Sequence, residues 1–113
     1  MKPTSLVFMI LLGAIANPAA ADEKVIEAGQ ALAFDRSKGN CLSCHVIDGG
    51  NSPGNLGPPL MNMKQRFSDK QALWDQLWDA TARNPESIMP PFGRNYILSE
   101  DEFYKVVEYV WQL

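Results

Sequence analysis

Cys41-Leu42-Ser43-Cys44-His45 gathers both cysteines and the single histidine of the chain into one C-x-x-C-H run. That order is the attachment signature of a covalently held haem. Two thiols one helical turn apart can each add to a vinyl group of the same porphyrin, and the adjacent imidazole then comes under the iron as its proximal ligand. Other chemistries also use close cysteines. A tetrahedral zinc site takes four ligands, and two Cys with one His fall short of that set. A thioredoxin-like redox pair needs only C-x-x-C, but it sits between a strand and a helix, and no alternating strand pattern precedes Cys41. A structural disulfide is the remaining use of the pair. If one haem takes both thiols, the chain has no anchor for a second.

An iron held by His45 has one more axial position, and without a second histidine the candidates are the thioethers of Met61, Met63 and Met89. Met89 is the preferred ligand. In Ile88-Met89-Pro90-Pro91-Phe92-Gly93 two prolines stiffen an extended loop and limit the entropy lost in holding a side chain against a metal. The alternative is that Met89 is a loop hydrophobe and the sixth position is open or taken by water. Met61 and Met63 follow Pro58-Pro59-Leu60, where they are expected to fill gaps against the porphyrin.

Three helices are predicted to position these groups. Ser99-Glu100-Asp101-Glu102 is a capping box, and Phe103, Val106, Val107, Val110 and Trp111 then recur at helical spacing, with Lys105, Glu108 and Gln112 turned to water. Earlier, Val25, Ala28, Gly29, Leu32, Ala33 and Arg36 are spaced by three and four before Gly39-Asn40 stops the pattern. Gly inside a helix costs about 1 kcal/mol relative to Ala, so Gly29 with Ala33 one turn later points to a close helix crossing. A third helix is expected from Lys70 to Ala80, capped by Ser68 or Asp69, with Leu73, Trp74, Leu77 and Trp78 as its apolar stripe. Its two tryptophans are read as core ahead of cofactor contact. The rest is rich in turn formers, with no internal repeat.

Composition bounds the answer further. With 10 Lys+Arg against 13 Asp+Glu, a formal charge of -3, the 113-residue chain has no basic excess for nucleic acid and room for one domain. Lys2, an apolar run from Leu6 to Ala16 and an A-x-A exit at Ala19-Ala20-Ala21 read as a secretory signal peptide cut after Ala21. The run is too short for a membrane span, and no cysteine follows the cut to accept a lipid. Removing 21 of 113 residues and the single basic Lys2 leaves 92 residues of formal charge -4. Chains of that size have modest cores, which a large buried cofactor would reinforce. The predicted division is thus a leader over 1–21 and one all-α domain over 22–113.

The residues around the C-x-x-C-H run resemble a class I cytochrome c: Gly29-Gln30-Ala31-Leu32-Ala33-Phe34-Asp35-Arg36, then Lys38-Gly39-Asn40 leading into Cys41. A finer resemblance is to the SoxX subunits of the SoxAX cytochromes of bacterial sulfur oxidation. It is carried by Gly54-Asn55-Leu56-Gly57-Pro58-Pro59-Leu60, Trp78-Asp79-Ala80-Thr81-Ala82-Arg83-Asn84-Pro85, Met89-Pro90-Pro91-Phe92-Gly93 and Leu98-Ser99-Glu100-Asp101-Glu102. The resemblance implies a small class I cytochrome fold, three to four helices wrapped around one haem c. It makes Cys41 and Cys44 the thioether anchors, and His45 and Met89 the iron ligands. It also implies that the Pro58 carbonyl accepts a hydrogen bond from the His45 imidazole, which fixes the tautomer and leaves Nε2 for iron. The first and last helices of the class cross at a small residue, so Gly29 is expected against Tyr109 or Val110.

His/Met ligation gives a six-coordinate iron that moves single electrons and has no place for a substrate. The resemblance adds a periplasmic setting and partners: a SoxA-type dihaem or monohaem cytochrome as heterodimer partner, the carrier SoxYZ, and a soluble cytochrome as electron acceptor. The pair would couple thiosulfate oxidatively to a SoxYZ cysteine, as an L-cysteine S-thiosulfotransferase complex, with the sulfur chemistry on the partner subunit. This chain keeps no free thiol once its haem is attached, so it has no group to form a persulfide. The alternative is a free monohaem carrier of periplasmic respiration. A haem edge flanked by Met61, Met63 or Phe92 is the expected docking surface, a basic acceptor suits the acidic net charge, and Arg83 and Arg94 are either solvated or paired with haem propionates.

Overall fold

A computed structural model of the chain describes residues 1–3, 13–14 and 18–113. The apolar run of the predicted leader falls largely on the other positions, so that reading lies outside the described residues. Among the described residues there are four α-helices and no strand: α1 (Pro18–Phe34), α2 (Met63–Arg66), α3 (Lys70–Trp78) and α4 (Glu100–Trp111). Two 3-10 turns, Cys41–Ser43 and Ala80–Ala82, complete the regular structure. None of the helices described is long and apolar enough to cross a membrane.

The chain is arranged around α4. Its predicted capping box is present: the Ser99 hydroxyl accepts from the Glu102 backbone N–H at 3.2 Å and the Glu102 carboxylate accepts from the Ser99 N–H at 2.9 Å, satisfying two donors that a helix start otherwise leaves open. Phe103, Val106, Val107 and Val110 are buried, as their spacing requires, and Tyr109 joins them. Trp111 stays half-buried beneath the ammonium of Lys64.

Three elements pack on this helix. α1 crosses it at Gly29, where an added Cβ would overlap the Lys105 backbone carbonyl and crowd Tyr109 Cβ, so the expected contact falls on Tyr109 rather than Val110. That approach accounts for a glycine that helix propensity disfavours. α3 starts where expected, with Asp69 accepting from the Ala72 N–H at 2.8 Å. It ends at Trp78, two residues short of the sequence reading, because Asp79 turns extended and caps the following 3-10 turn through Thr81. Trp74 and Trp78 both meet Phe103 edge to face, at centroid distances of 4.7 and 5.4 Å, which packs them, half-buried, against the core. The short helix α2 escaped the periodicity reading, since four residues carry no period. Its Met63 N–H donates to the Leu113 carbonyl at 3.1 Å and ties it to the end of α4.

α1 leaves its helix at Phe34, earlier than the Gly39-Asn40 stop, and a tight turn of Asp35 to Lys38 follows. Lys38 Nζ reaches Glu102 Oε1 at 2.8 Å, pinning this turn to the start of α4. Asn40, with φ of 51° in the left-handed region that asparagine tolerates, then reverses the chain into Cys41.

Candidate cofactor site

The turn at Asn40 delivers Cys41 to Ser43 as a single 3-10 turn, and the His45 N–H closes it by donating to the Cys41 carbonyl at 2.9 Å. Cys41 is buried, Cys44 and His45 half-buried, and both cysteines are unpaired. Burial pushes the Cys41 thiol up to about 11, the opposite of the depressed value that an attacking redox thiol needs. Among the described residues no three His, Cys, Asp or Glu side chains converge on a common point. The disulfide, thioredoxin-like and zinc readings therefore find no structural counterpart.

A second strip of chain runs alongside the motif. Gly54, Gly57 and Leu60 donate their backbone N–H groups to the carbonyls of Leu42, Cys44 and Val46 at 2.7, 2.8 and 2.9 Å. This pairing lays Gly57 flat on the His45 ring, where a Cβ would overlap the imidazole, and sets the Pro58 carbonyl 2.6 Å from His45 Nδ1. With that carbonyl as acceptor, Nδ1 carries the proton and Nε2 keeps its lone pair for a metal.

The third strip carries Met89. Phe92 is buried in the core, Gly93 lies against the Trp78 ring, and the Arg94 N–H donates to the Trp78 carbonyl at 3.2 Å. The loop is thereby fixed on the end of α3. The Met89 N–H donates to Ser87 Oγ at 3.3 Å, and the side chain is half-buried.

These strips enclose one cavity of about 520 Å³. Cys41, Cys44, His45, Pro58 and Met89, all five of the residues singled out in the sequence, line it together. Much of its remaining wall is apolar, with Met63 and Phe67, Leu73 and Leu77 from α3, and Val110 from α4. The volume lies in the range of cofactor pockets, and two thiols, an imidazole already committed through Nδ1 and a thioether form the donor set that a covalent haem requires. The residues present fit that group.

Some expectations need correction. Met63 is 2% exposed and lines the cavity, whereas Met61 is 52% exposed and does not. Buried Met63 and Phe92 cannot form a docking surface. The apolar side chains that are both exposed and at the cavity mouth are Leu56, Ile88 and Ile97. Arg94 is engaged by Asp79 and Thr81, and neither Arg83 nor Arg94 lines the cavity. The cations that do are Arg36, Lys38 and Arg66, with no Asp or Glu among the lining residues. Only contact distances across loops place these three at the rim. Basic residues in a turn and in a one-turn helix gave no signal in the sequence, because net charge does not say where charges stand.

The profile of the cytochrome c family matches residues 26–113. Over 74 residues, 65% of this chain, the sequence is 30% identical to a protein of Aquifex aeolicus (strain VF5) described as an uncharacterized lipoprotein. The match covers 36% of that protein, so the chain spans about a third of the length of this relative.

Proposed function

The chain belongs to the cytochrome c family and holds one covalently bound haem c with its iron, and from that premise we propose that it is an exported SoxX-type electron-transfer subunit. The observation that carries the electron-transfer reading is the meeting of both thiols, the imidazole and the Met89 thioether in one apolar cavity. When bound, haem with imidazole and thioether ligands exchanges one electron and offers no open coordination position. Cys41 and Cys44 hold the porphyrin in place. His45 would supply Nε2 to the iron, with the Pro58 carbonyl keeping its ring in one tautomer and one orientation. Met89 would offer its thioether as the second ligand from a loop fixed on α3. The apolar walls keep water away, which limits solvent reorganisation when charge changes at the site.

The finer reading, in which this chain works with a SoxA-type cytochrome to couple thiosulfate to a SoxYZ cysteine, is supported by the order of four sequence segments. Two of those segments, Gly54 to Leu60 and the Met89 loop, supply lining of the cavity, and the other two brace it, Trp78 against Gly93 and Glu102 against Lys38. With both of its cysteines taken by haem attachment the chain keeps no thiol to form a persulfide, which supports placing the sulfur chemistry on the partner. Export, with removal of the leader after Ala21 into the periplasm, agrees with the relative's description as a lipoprotein. At the cavity mouth Leu56, Ile88 and Ile97 offer an apolar contact, and the cationic rim favours a partner with acidic groups there.

The test is to mature the chain with its haem in the periplasm of a thiosulfate-grown host and identify what co-purifies. A larger SoxA-type cytochrome in one-to-one ratio is the expected result. A haem-loaded chain that purifies alone would replace this reading by the free respiratory carrier.

A further inference from the structure

The hydrogen bond from His45 Nδ1 to the Pro58 carbonyl depends on a dipeptide with unusually few means of being held. Gly57 and Leu60 on either side are tied to the C-x-x-C-H strip through their N–H groups. Between them, Pro58 and Pro59 have no N–H to donate, so the dipeptide is positioned only through its two carbonyls. One carbonyl accepts from His45. The other, of Pro59, accepts from Arg66 Nη1 at 2.8 Å. Arg66 is the last residue of α2, and its guanidinium also lies 3.5 Å from Met63 Sδ. α2 is in turn tied to the end of α4 by the Met63 N–H.

We infer that Arg66 is a positioning residue for the proximal ligand, clamping the Pro58-Pro59 dipeptide so that the Pro58 carbonyl stays aimed at His45 Nδ1. A guanidinium bond to a carbonyl is charge-assisted and fixed in direction, which suits it to hold a segment with no donors of its own. The inference rests on His45 as proximal ligand. It also separates two effects of opposite sign on the iron. A weaker Nδ1 bond makes the imidazole a poorer electron donor and raises the reduction potential, whereas loss of a nearby cation favours the ferric state and lowers it.

The test uses the haem-loaded, reduced protein with 15N-labelled histidine. The readouts are solvent exchange of the His45 Nδ1 proton and the potential, in wild type, Arg66→Met and Arg66→Lys. Arg66→Met keeps alkyl bulk without the donor or the charge and should speed Nδ1–H exchange about twofold to tenfold, the loss of one ordinary hydrogen bond's worth of order, with the potential set by the balance of the two opposed effects. Arg66→Lys keeps the charge and a donor within reach and should restore most of the protection. Unchanged exchange in Arg66→Met, with a potential that falls, would show a purely electrostatic role and overturn the clamp. If Arg66→Met does not mature, Arg66→Gln, which removes the charge and shortens the donor, takes its place with the same readout: exchange faster than wild type supports the clamp, and exchange at the wild-type rate overturns it. Failure of the underlying reading is distinguishable, because a wild-type His45 ring that is not an iron ligand lacks the large upfield ring-current shifts of an axial imidazole.

Discussion

Replacing Gly29 by alanine sets two effects against each other with a computable sign. In an isolated helix the change is favourable by about 1 kcal/mol, because glycine loses more backbone entropy on ordering. At this crossing the new methyl meets the Lys105 carbonyl oxygen and carbon and Tyr109 Cβ, which are backbone and near-backbone atoms with no rotamer to yield. The helices must part by about 1 Å, which lifts α1 from a helix whose Val106, Val107 and Val110 are buried. Overpacking a core typically costs about 1–3 kcal/mol, and a rigid neighbour places this site at the upper end. The net is a destabilisation of about 2 kcal/mol, or a fall in Tm of about 8–16 °C for a domain of this size. Thermal unfolding of the ferric haem-loaded protein, followed by far-UV circular dichroism, measures it, with Gly29→Val as a more severe companion. A Tm for Gly29→Ala at or above wild type would show that the crossing is looser than described and refute the argument.

Four further outcomes follow from the same structure. Replacing both Cys41 and Cys44 by alanine should leave no haem that resists acid-acetone extraction, whereas either single variant keeps one anchor; red protein still resistant in the double variant would exclude thioether attachment. Met89→Ala should abolish the weak long-wavelength ferric sulfur-to-iron charge-transfer band of a thioether ligand; a surviving band would move the sixth ligand to another thioether, with cavity-lining Met63 next. Ser99→Ala removes half of the capping box and should cost about 1 kcal/mol in denaturant unfolding, whereas an unchanged midpoint would mean the cap contributes nothing. The Lys38–Glu102 pair should confer a two-sided pH dependence. Bonding to Lys38 and to the Ser99 N–H holds the Glu102 carboxyl below its ordinary 4.5, so that part of the stability is complete above 4.5 and is lost as pH falls through the lowered value. The bond to Glu102 raises Lys38 above its ordinary 10.5, so its part is complete below 10.5 and fades as pH climbs through the raised value. Glu102→Gln should flatten both flanks of the stability profile relative to wild type; identical profiles would discount the pair.

Much of this molecule can be read from residue order because its determinants are local. A capping box and a five-residue apolar stripe define α4, Asp69 and a Leu-Trp repeat define α3, and C-x-x-C-H defines the anchor. The parts that were missed depend on closure across space. The four residues of α2 have no period to detect, and their helix exists because the Leu113 carbonyl and the Pro59 carbonyl engage Met63 and Arg66. The end of α3 moved by two residues because the Asp79 carboxylate found the Thr81 N–H and hydroxyl. The distinction between Met61 and Met63 turns on one residue of register, which only the left-handed turn at Asn62, with φ of 54°, decides. For Arg94 the sequence left solvation or a haem propionate open, since Asp79 comes within reach only when the Met89 loop folds back on Trp78.

The crossing at Gly29 also sets the order of events when the chain acquires its shape. α1 and α4 stand at opposite ends of the described domain, and the chain between them must be gathered before their contact can form. Closing so long a loop is entropically slow, and nothing local rewards the first steps. α2 and α3 lean on the same late helix, so the Cys41 thiol that is buried in the finished protein stays within reach of solvent until α4 docks. The fold thus carries its own delay, an interval in which Cys41 can be modified before packing shuts it in.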